Sequence, residues 1–257
     1  MHASSRSTVV LLHSSASSSR QWQALAATLA PRHVVHAVDL YGHGARPPWP
    51  GPTPLALEDE AKLVVPLLAE AGGGHVVGHS YGAAVALKVA ALRPDLVRSV
   101  AVYEPVFFAW LADNPMHAIA GAIRSDLERG EAAAAARRFV DFWSGEGAWQ
   151  SMAAGAQAAI AARMPSIVLH FLAMFDEPLR AWDLARLAMP MLFLMGSRTV
   201  TVTQRLAAIA RRALPHARHE VLPGLGHMGP VTHAGNVNRR IEASLARHAA
   251  AAEPAAA

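Results

Sequence analysis

His75-Val76-Val77-Gly78-His79-Ser80-Tyr81-Gly82-Ala83-Ala84-Val85-Ala86-Leu87-Lys88-Val89-Ala90 reads as strand, sharp turn and helix in sixteen residues. The β-branched run His75 to Val77 favours a strand, and Ala83 to Ala90 is made of strong helix formers. Between them, Gly78-His79-Ser80-Tyr81-Gly82 fits the pattern G-x-S-x-G. The glycines have a steric reason, because a serine pressed between the end of a strand and the start of a helix leaves no room for Cβ atoms on either side. Such a turn holds the serine Oγ above the sheet, beside a helix N-terminus whose free N–H groups can bind developing negative charge. The five-residue pattern alone also arises by chance; it acquires chemistry only if a base and an anion-binding loop lie elsewhere in the chain.

Outward from this stretch, short apolar runs alternate with helical ones. Strands are expected at Thr8 to His13, His33 to Leu40, Val97 to Tyr103, Met191 to Met195 and Ala217 to Leu222. Helices are expected at about Arg20 to Leu29, Leu55 to Ala71 and Asn236 to His248. Strand–helix alternation implies an α/β fold, a mostly parallel central sheet with helices on both faces. The alternation stops between Val106 and Ala185, where the sequence reads as helices without a strand. That stretch holds four of the six tryptophans (Trp110, Trp143, Trp149, Trp182) and six of the seven phenylalanines. We read 106–185 as an inserted helical cap and 1–105 with 186–257 as the core. Set between two strands at the C-terminal edge of the sheet, such a cap would lie over Ser80 and roof a pocket. Most of its aromatics are expected to glue its helices together, while a minority, with Phe107 and Trp143 as candidates, line the pocket.

Composition narrows the rest. With 257 residues, 53% of them hydrophobic and 16% charged, the chain can bury a large core. The net charge is +4, nearly all of it from arginines scattered over the expected helices, and no basic block is interleaved with aromatics. A nucleic-acid partner is therefore not expected. No apolar run approaches the roughly 18 residues that cross a bilayer, because Lys88 or nearby polar residues interrupt the best candidates, so no membrane partner is expected either. A single Arg6 before Val9-Val10-Leu11-Leu12 reads as the lead into a strand rather than a signal peptide, and there is no cysteine. A cytoplasmic location is the expectation. The Ala-rich end, Ala249 to Ala257, reads as a frayed tail, and oligomeric state is not legible.

Four stretches together resemble the α/β-hydrolase family, from Thr8 to about His248: Leu11-Leu12-His13-Ser14-Ser15, Asp39-Leu40-Tyr41-Gly42-His43-Gly44, Gly78-His79-Ser80-Tyr81-Gly82, and Gly224-Leu225-Gly226-His227-Met228. The resemblance implies a catalytic triad in the chain order Ser, acid, His. Ser80 is then the nucleophile, and His227, in a glycine-flanked loop after the last strand, its base, since an ordinary imidazole titrates near neutrality. His13 and His79 are expected beside the site, and His216 and His219 facing solvent. In most relatives the acid stands about three residues after Gly196, where this chain has Thr199. No Asp or Glu occurs between Leu184 and His219. Some members place the acid at the end of the preceding strand, and Glu104 stands there. The alternative is that Glu104 is only a hinge residue of the cap, leaving a Ser–His dyad or an idle site. The family match further implies an oxyanion hole from the backbone N–H groups of Tyr81 and Ser15. Ser14, where the common pattern has glycine, and Met228 join Phe107 and Trp143 as candidate substrate contacts. Asp39 and Gly42-His43-Gly44 match a stretch that is usually structural.

The resemblance thus implies a serine hydrolase taking a small-molecule substrate without cofactor or metal. A carboxylic ester of small to medium, apolar character is the first expectation, because the cap is rich in aromatics. The same triad also cleaves carbon–carbon, thioester and amide bonds, or performs perhydrolysis. A ligand-binding receptor with an idle site on the same scaffold is a further alternative.

Overall fold

The computed structural model describes residues 6–250, so residues 251–257 of the expected tail lie outside the described residues. Six strands form one sheet: β1 (Ser7–Leu12), β2 (His33–Val38), β3 (Gly74–His79), β4 (Val97–Tyr103), β5 (Met191–Gly196) and β6 (Arg218–Leu222). Their order is β2-β1-β3-β4-β5-β6, and every neighbouring pair is parallel. All six residues of β3 are buried, which suits the middle of a parallel sheet covered on both faces. The edge strands β2 and β6 are partly exposed.

Side chains that alternate along each strand feed two separate layers. Val9, Leu11, Val77 and Leu192 pack with Leu25 and Leu29 of α1 (Gln23–Leu29) and with Val237, Ile241 and Leu245 of a late helix. Val10, Leu12, Val76 and Val102 face the other way, against α2 (Leu57–Glu70) and α3 (Tyr81–Leu92). The helices expected from the sequence are present with bounds moved by a few residues. A 3-10 turn at Ser19–Trp22 replaces the first turn of α1.

Between β4 and β5 the chain is helical, as the sequence implied. It forms α4 (Met116–Glu128), α5 (Ala132–Ser144), α6 (Ala154–Phe175) and the single turn α7 (Ala181–Leu184). Phe108, Phe139, Phe171 and Phe175 contact one another inside this insert. Asp126 of α4 ties α4 to α5 by accepting from Arg138 Nε at 3.0 Å. The insert is fastened to the core by a buried ion pair, with Lys88 Nζ of α3 donating to Glu177 Oε1 at 2.9 Å just past α6. One expectation is corrected here: α6, 22 residues long, is by length and hydropathy alone long enough to cross a membrane. In the sequence its run is broken by Gln157, Arg163, Pro165 and His170. Its Met164, Ile167, His170 and Phe171 are buried against the rest of the protein. After β5 come α8 (Thr201–Ala213), and after β6 the turn α9 (Gly229–Thr232) and α10 (Ala234–Ala250), the late helix named above.

Candidate active site

The turn from β3 into α3 is as tight as its glycines imply. A Cβ on Gly78 would fall on the carbonyl of Gly82 and the Cα of Ala83, and one on Gly82 would fall on the carbonyls of Leu12 and His13. Ser80 itself sits at φ 56°, ψ −115°, a backbone conformation that an L-residue adopts only when its surroundings impose it. The Ser80 hydroxyl donates to His227 Nε2 at 2.9 Å. His227 Nδ1–H donates to Glu104 Oε2 at 2.6 Å. All three side chains are buried.

Glu104 stands at the C-terminal end of β4 with φ 47°, a second strained non-glycine position. Its carboxylate is held at each oxygen. Gly196 N–H donates to Oε1 at 2.8 Å, and the Thr199 hydroxyl donates to Oε2 at 2.6 Å. The residue at the family's common acid position therefore supports Glu104 through its hydroxyl. The loop carrying His227 is pinned from the sheet by Tyr103, whose hydroxyl donates to the Gly226 carbonyl at 2.7 Å, and by His79, whose Nε2–H donates to the His227 carbonyl at 2.9 Å. Burial, then the neighbouring His227, pushes the His79 imidazole well below its ordinary value, so that it stays neutral and serves as a strut.

The other side of Ser80 is formed by the loop after β1. The backbone N–H groups of Ser15 and Tyr81 donate to no group among the described residues, which leaves both for a ligand. Ser14 is buried, and its N–H and hydroxyl both donate to Gln21 Oε1, at 3.1 and 3.0 Å. Its hydroxyl proton is thus committed to shaping the loop. Underneath, His13 Nδ1–H donates to the Ser14 carbonyl while Nε2 accepts from Leu40 N–H. His43 Nδ1–H donates to the Tyr41 carbonyl while Nε2 accepts from Ala16 N–H. Burial above all pushes His13 down to about 3 and His43 to about 4. Asp39 accepts from the N–H groups of Ser19 and Ala45, consistent with a structural role for its stretch.

A cavity of about 220 Å³ opens over Ser80 and His227. The insert supplies most of its wall, including Phe139, Trp143, Ile160, Ile167, Phe171 and Met174, while Ser14, Ser15 and Met228 line it from the core. No residue of the lining carries a carboxylate, an ammonium or a guanidinium. The Trp143 ring lies 4.2 Å from the His227 ring, so this candidate faces the site. Phe107 does not: it is fully buried and stacks on Trp110 at 4.5 Å, and its neighbour Val106 lines the cavity. A single-residue offset along irregular backbone decides which side chain enters, and composition carries no signal for that. The sequence reading also missed the supports Gln21, Tyr103 and Thr199. Of these only Thr199 had a signal, its place three residues after Gly196. His219, expected in solvent, is half-buried and stacks on Phe193. Among the described residues no group of three His, Asp or Glu is arranged to hold a metal ion.

Against known proteins, residues 9–240 match the model of the alpha/beta hydrolase family. The chain is 38% identical over 99 residues to the lipase LipV of Mycobacterium tuberculosis, a match that spans 38% of this chain and only 36% of the lipase. It is 26% identical over 237 residues, 88% of each chain, to a pimeloyl-acyl-carrier-protein methyl ester esterase of Edwardsiella ictaluri. A crystal structure of a hydrolase from Pseudomonas aeruginosa PA01 superposes with a TM-score of 0.78 at 21% identity, covering 94% of this chain and 90% of the other.

Proposed function

The chain belongs to the alpha/beta hydrolase family, and from that premise we propose that it is a serine hydrolase of small to medium, neutral, apolar carboxylic esters. The observation that carries the reading is the unbroken relay from Ser80 Oγ through both nitrogens of His227 to Glu104, at 2.9 and 2.6 Å. An aliphatic hydroxyl is a weak nucleophile until a base within hydrogen-bond reach takes its proton. Ser80 attacks the ester carbonyl as His227 Nε2 accepts that proton, and Glu104 stabilises the imidazolium and fixes its tautomer. The oxyanion accepts hydrogen bonds from Ser15 and Tyr81 N–H, each such donor being worth roughly 3 kcal/mol at the transition state. His227 then protonates the departing alcohol and activates water against the acyl-enzyme. The charge-free lining of the cavity supports a neutral substrate, since a charge buried there would lack a partner. Its size suits a chain or ring somewhat larger than benzene, which fills an engineered cavity of roughly 150 Å³. The esterase and lipase relatives support an ester as the bond.

The test is labelling with a fluorophosphonate followed by peptide mass spectrometry, beside a panel of p-nitrophenyl esters of rising acyl length. The expected result is a label on Ser80, none in Ser80→Ala, and turnover that peaks at a medium acyl chain. A folded wild type that binds esters but neither labels nor turns them over would overturn the reading in favour of a binding protein.

A further inference from the structure

We propose that His170, carried into the core by α6 of the insert, is a positioning residue for the oxyanion hole, holding Ser15 through its hydroxyl and Tyr81 through its ring. The inference rests on the hydrolase reading of Ser80 and goes beyond it, because it makes a residue of the insert a part of the core's anion-binding device.

His170 is fully buried. Its Nδ1 lies 2.8 Å from Ser15 Oγ. Its ring stacks on Tyr81 with centroids 3.7 Å apart and planes 7° apart, and on His43 at 4.7 Å and 21°. A single imidazole thus contacts both residues whose backbone N–H groups stand free beside Ser80. Its Nε2 has no hydrogen-bond partner among the described residues and faces Glu60 Oε1 at 3.8 Å. With the ring proton on that side, Nδ1 is left as the acceptor of the Ser15 hydroxyl. Burial keeps the ring neutral, pushing His170 well below its ordinary value, and raises the neighbouring Glu60 carboxyl to about 8. Both groups therefore face each other uncharged near neutral pH, and the acceptor at Nδ1 is preserved.

The loop needs such a hold. Ala16, next to Ser15, has φ 62°, a left-handed conformation that a residue with a Cβ keeps only under restraint. Two restraints come from α6. Arg163, seven residues before His170 and so on the same helix face, donates from Nη1 to the Ala16 carbonyl at 3.3 Å. His170 takes the hydroxyl of Ser15. How α6 seats on the core therefore sets where the Ser15 N–H points.

The test compares His170→Phe, Ser15→Ala and the double variant in the full chain. Phenylalanine keeps the stack and the volume but loses the acceptor, and Ser15→Ala keeps the backbone N–H but loses the hydroxyl. The readouts are kcat and KM on a short p-nitrophenyl ester, the affinity of a trifluoromethyl ketone that forms a tetrahedral adduct, and Tm. Each single variant should lower kcat by roughly 10- to 100-fold with KM nearly unchanged, the range that small misplacement of a catalytic donor produces. Ketone affinity should fall in step, and the double variant should be no worse than either single one. A merely structural histidine would lower Tm and leave kcat and ketone affinity alone, or would give effects that add. Either result in an active protein overturns the proposal. If His170→Phe does not fold, Ser15→Ala reads the same hydrogen bond, and wild-type kcat there also overturns it. A wild type inert to esters and fluorophosphonate sinks the hydrolase reading and this inference with it.

Discussion

The core and the insert both contribute to the site, by different physical means. Ser80, Glu104 and the His227 loop sit at the C-terminal ends of β3, β4 and β6, each clamped by backbone strain or by hydrogen bonds to main-chain atoms. The insert contributes side chains held by apolar packing, and these form most of the cavity wall. Directional bonds fix atoms to tenths of an ångström, whereas packing fixes shape and volume. Substitutions in the core should therefore strike kcat, and those in the insert's apolar wall should strike KM or stability, whereas His170 and Arg163, which reach the core's loop by hydrogen bonds, belong with the core.

The largest expected effect tests the core side. In Glu104→Gln the amide still has an oxygen for Gly196 N–H, but an NH2 group then faces His227 Nδ1. The ring is driven to the tautomer with its proton on Nε2, which cannot accept from Ser80. Loss of the correct tautomer costs about 10⁴ in kcat in the Ser-His-Asp case, and a drop of that order is expected here with Tm nearly unchanged. Near-wild-type kcat would show that Glu104 serves the hinge alone and would erase the division between the two regions.

The same division explains what the sequence made legible. The elbow is a local device, so a five-residue pattern between a strand and a helix suffices to read it. Glu104 stood out as a candidate because the common acid position holds Thr199, and Thr199 and His227 both bond to one oxygen of its carboxylate. The sheet was legible because buried parallel strands are short apolar runs set off by Gly and Pro. The insert was legible as helices but not as a wall. Phe107 and Trp143 look alike as sequence, yet one stacks away from the cavity on Trp110 and the other faces His227. Nor could the sequence bring His170 to Ser15, 155 positions away, since only the seating of α6 makes that contact.

That pair of aromatics gives the next test. Phe107→Ala empties fully packed space without touching the cavity, so it should cost about 3–5 kcal/mol of stability while KM for the preferred ester stays unchanged. Trp143→Ala, which also loses packing on Phe139 and Phe142, should in addition raise KM at least about 30-fold, because truncated aromatic anchors cost roughly 2 kcal/mol or more of binding. Denaturant melts and ester kinetics on both variants separate the outcomes. If Phe107→Ala alters KM as much as Trp143→Ala does, the insert transmits packing changes into the cavity and the wall is not local.

The smallest expected effect lies at the seam, where Glu60 faces His170. Burial raises the Glu60 carboxyl from 4.5 to about 8, so the folded protein keeps a proton there that the unfolded chain releases. Stability from this group is therefore fully present below pH 4.5 and is lost as pH rises toward 8. The buried histidines act on the other side of neutrality. His13 at about 3 and His43 at about 4 refuse protons that the unfolded chain takes up below 6.5, so their effect is to weaken the fold as pH falls from 6.5. Between pH 6.5 and 8 Glu60 is thus separable from them. Over that window the wild type should lose about 2 kcal/mol more than Glu60→Gln, a difference of roughly 5 °C in Tm. Melts at pH 6.5 and 8.5 that run parallel in the two proteins would mean that Glu60 is already ionised at neutral pH. The seam would then bury a carboxylate beside a neutral His170, and the hydrogen bond between His170 and Ser15, not an uncharged Glu60, would be what joins the insert to the oxyanion loop.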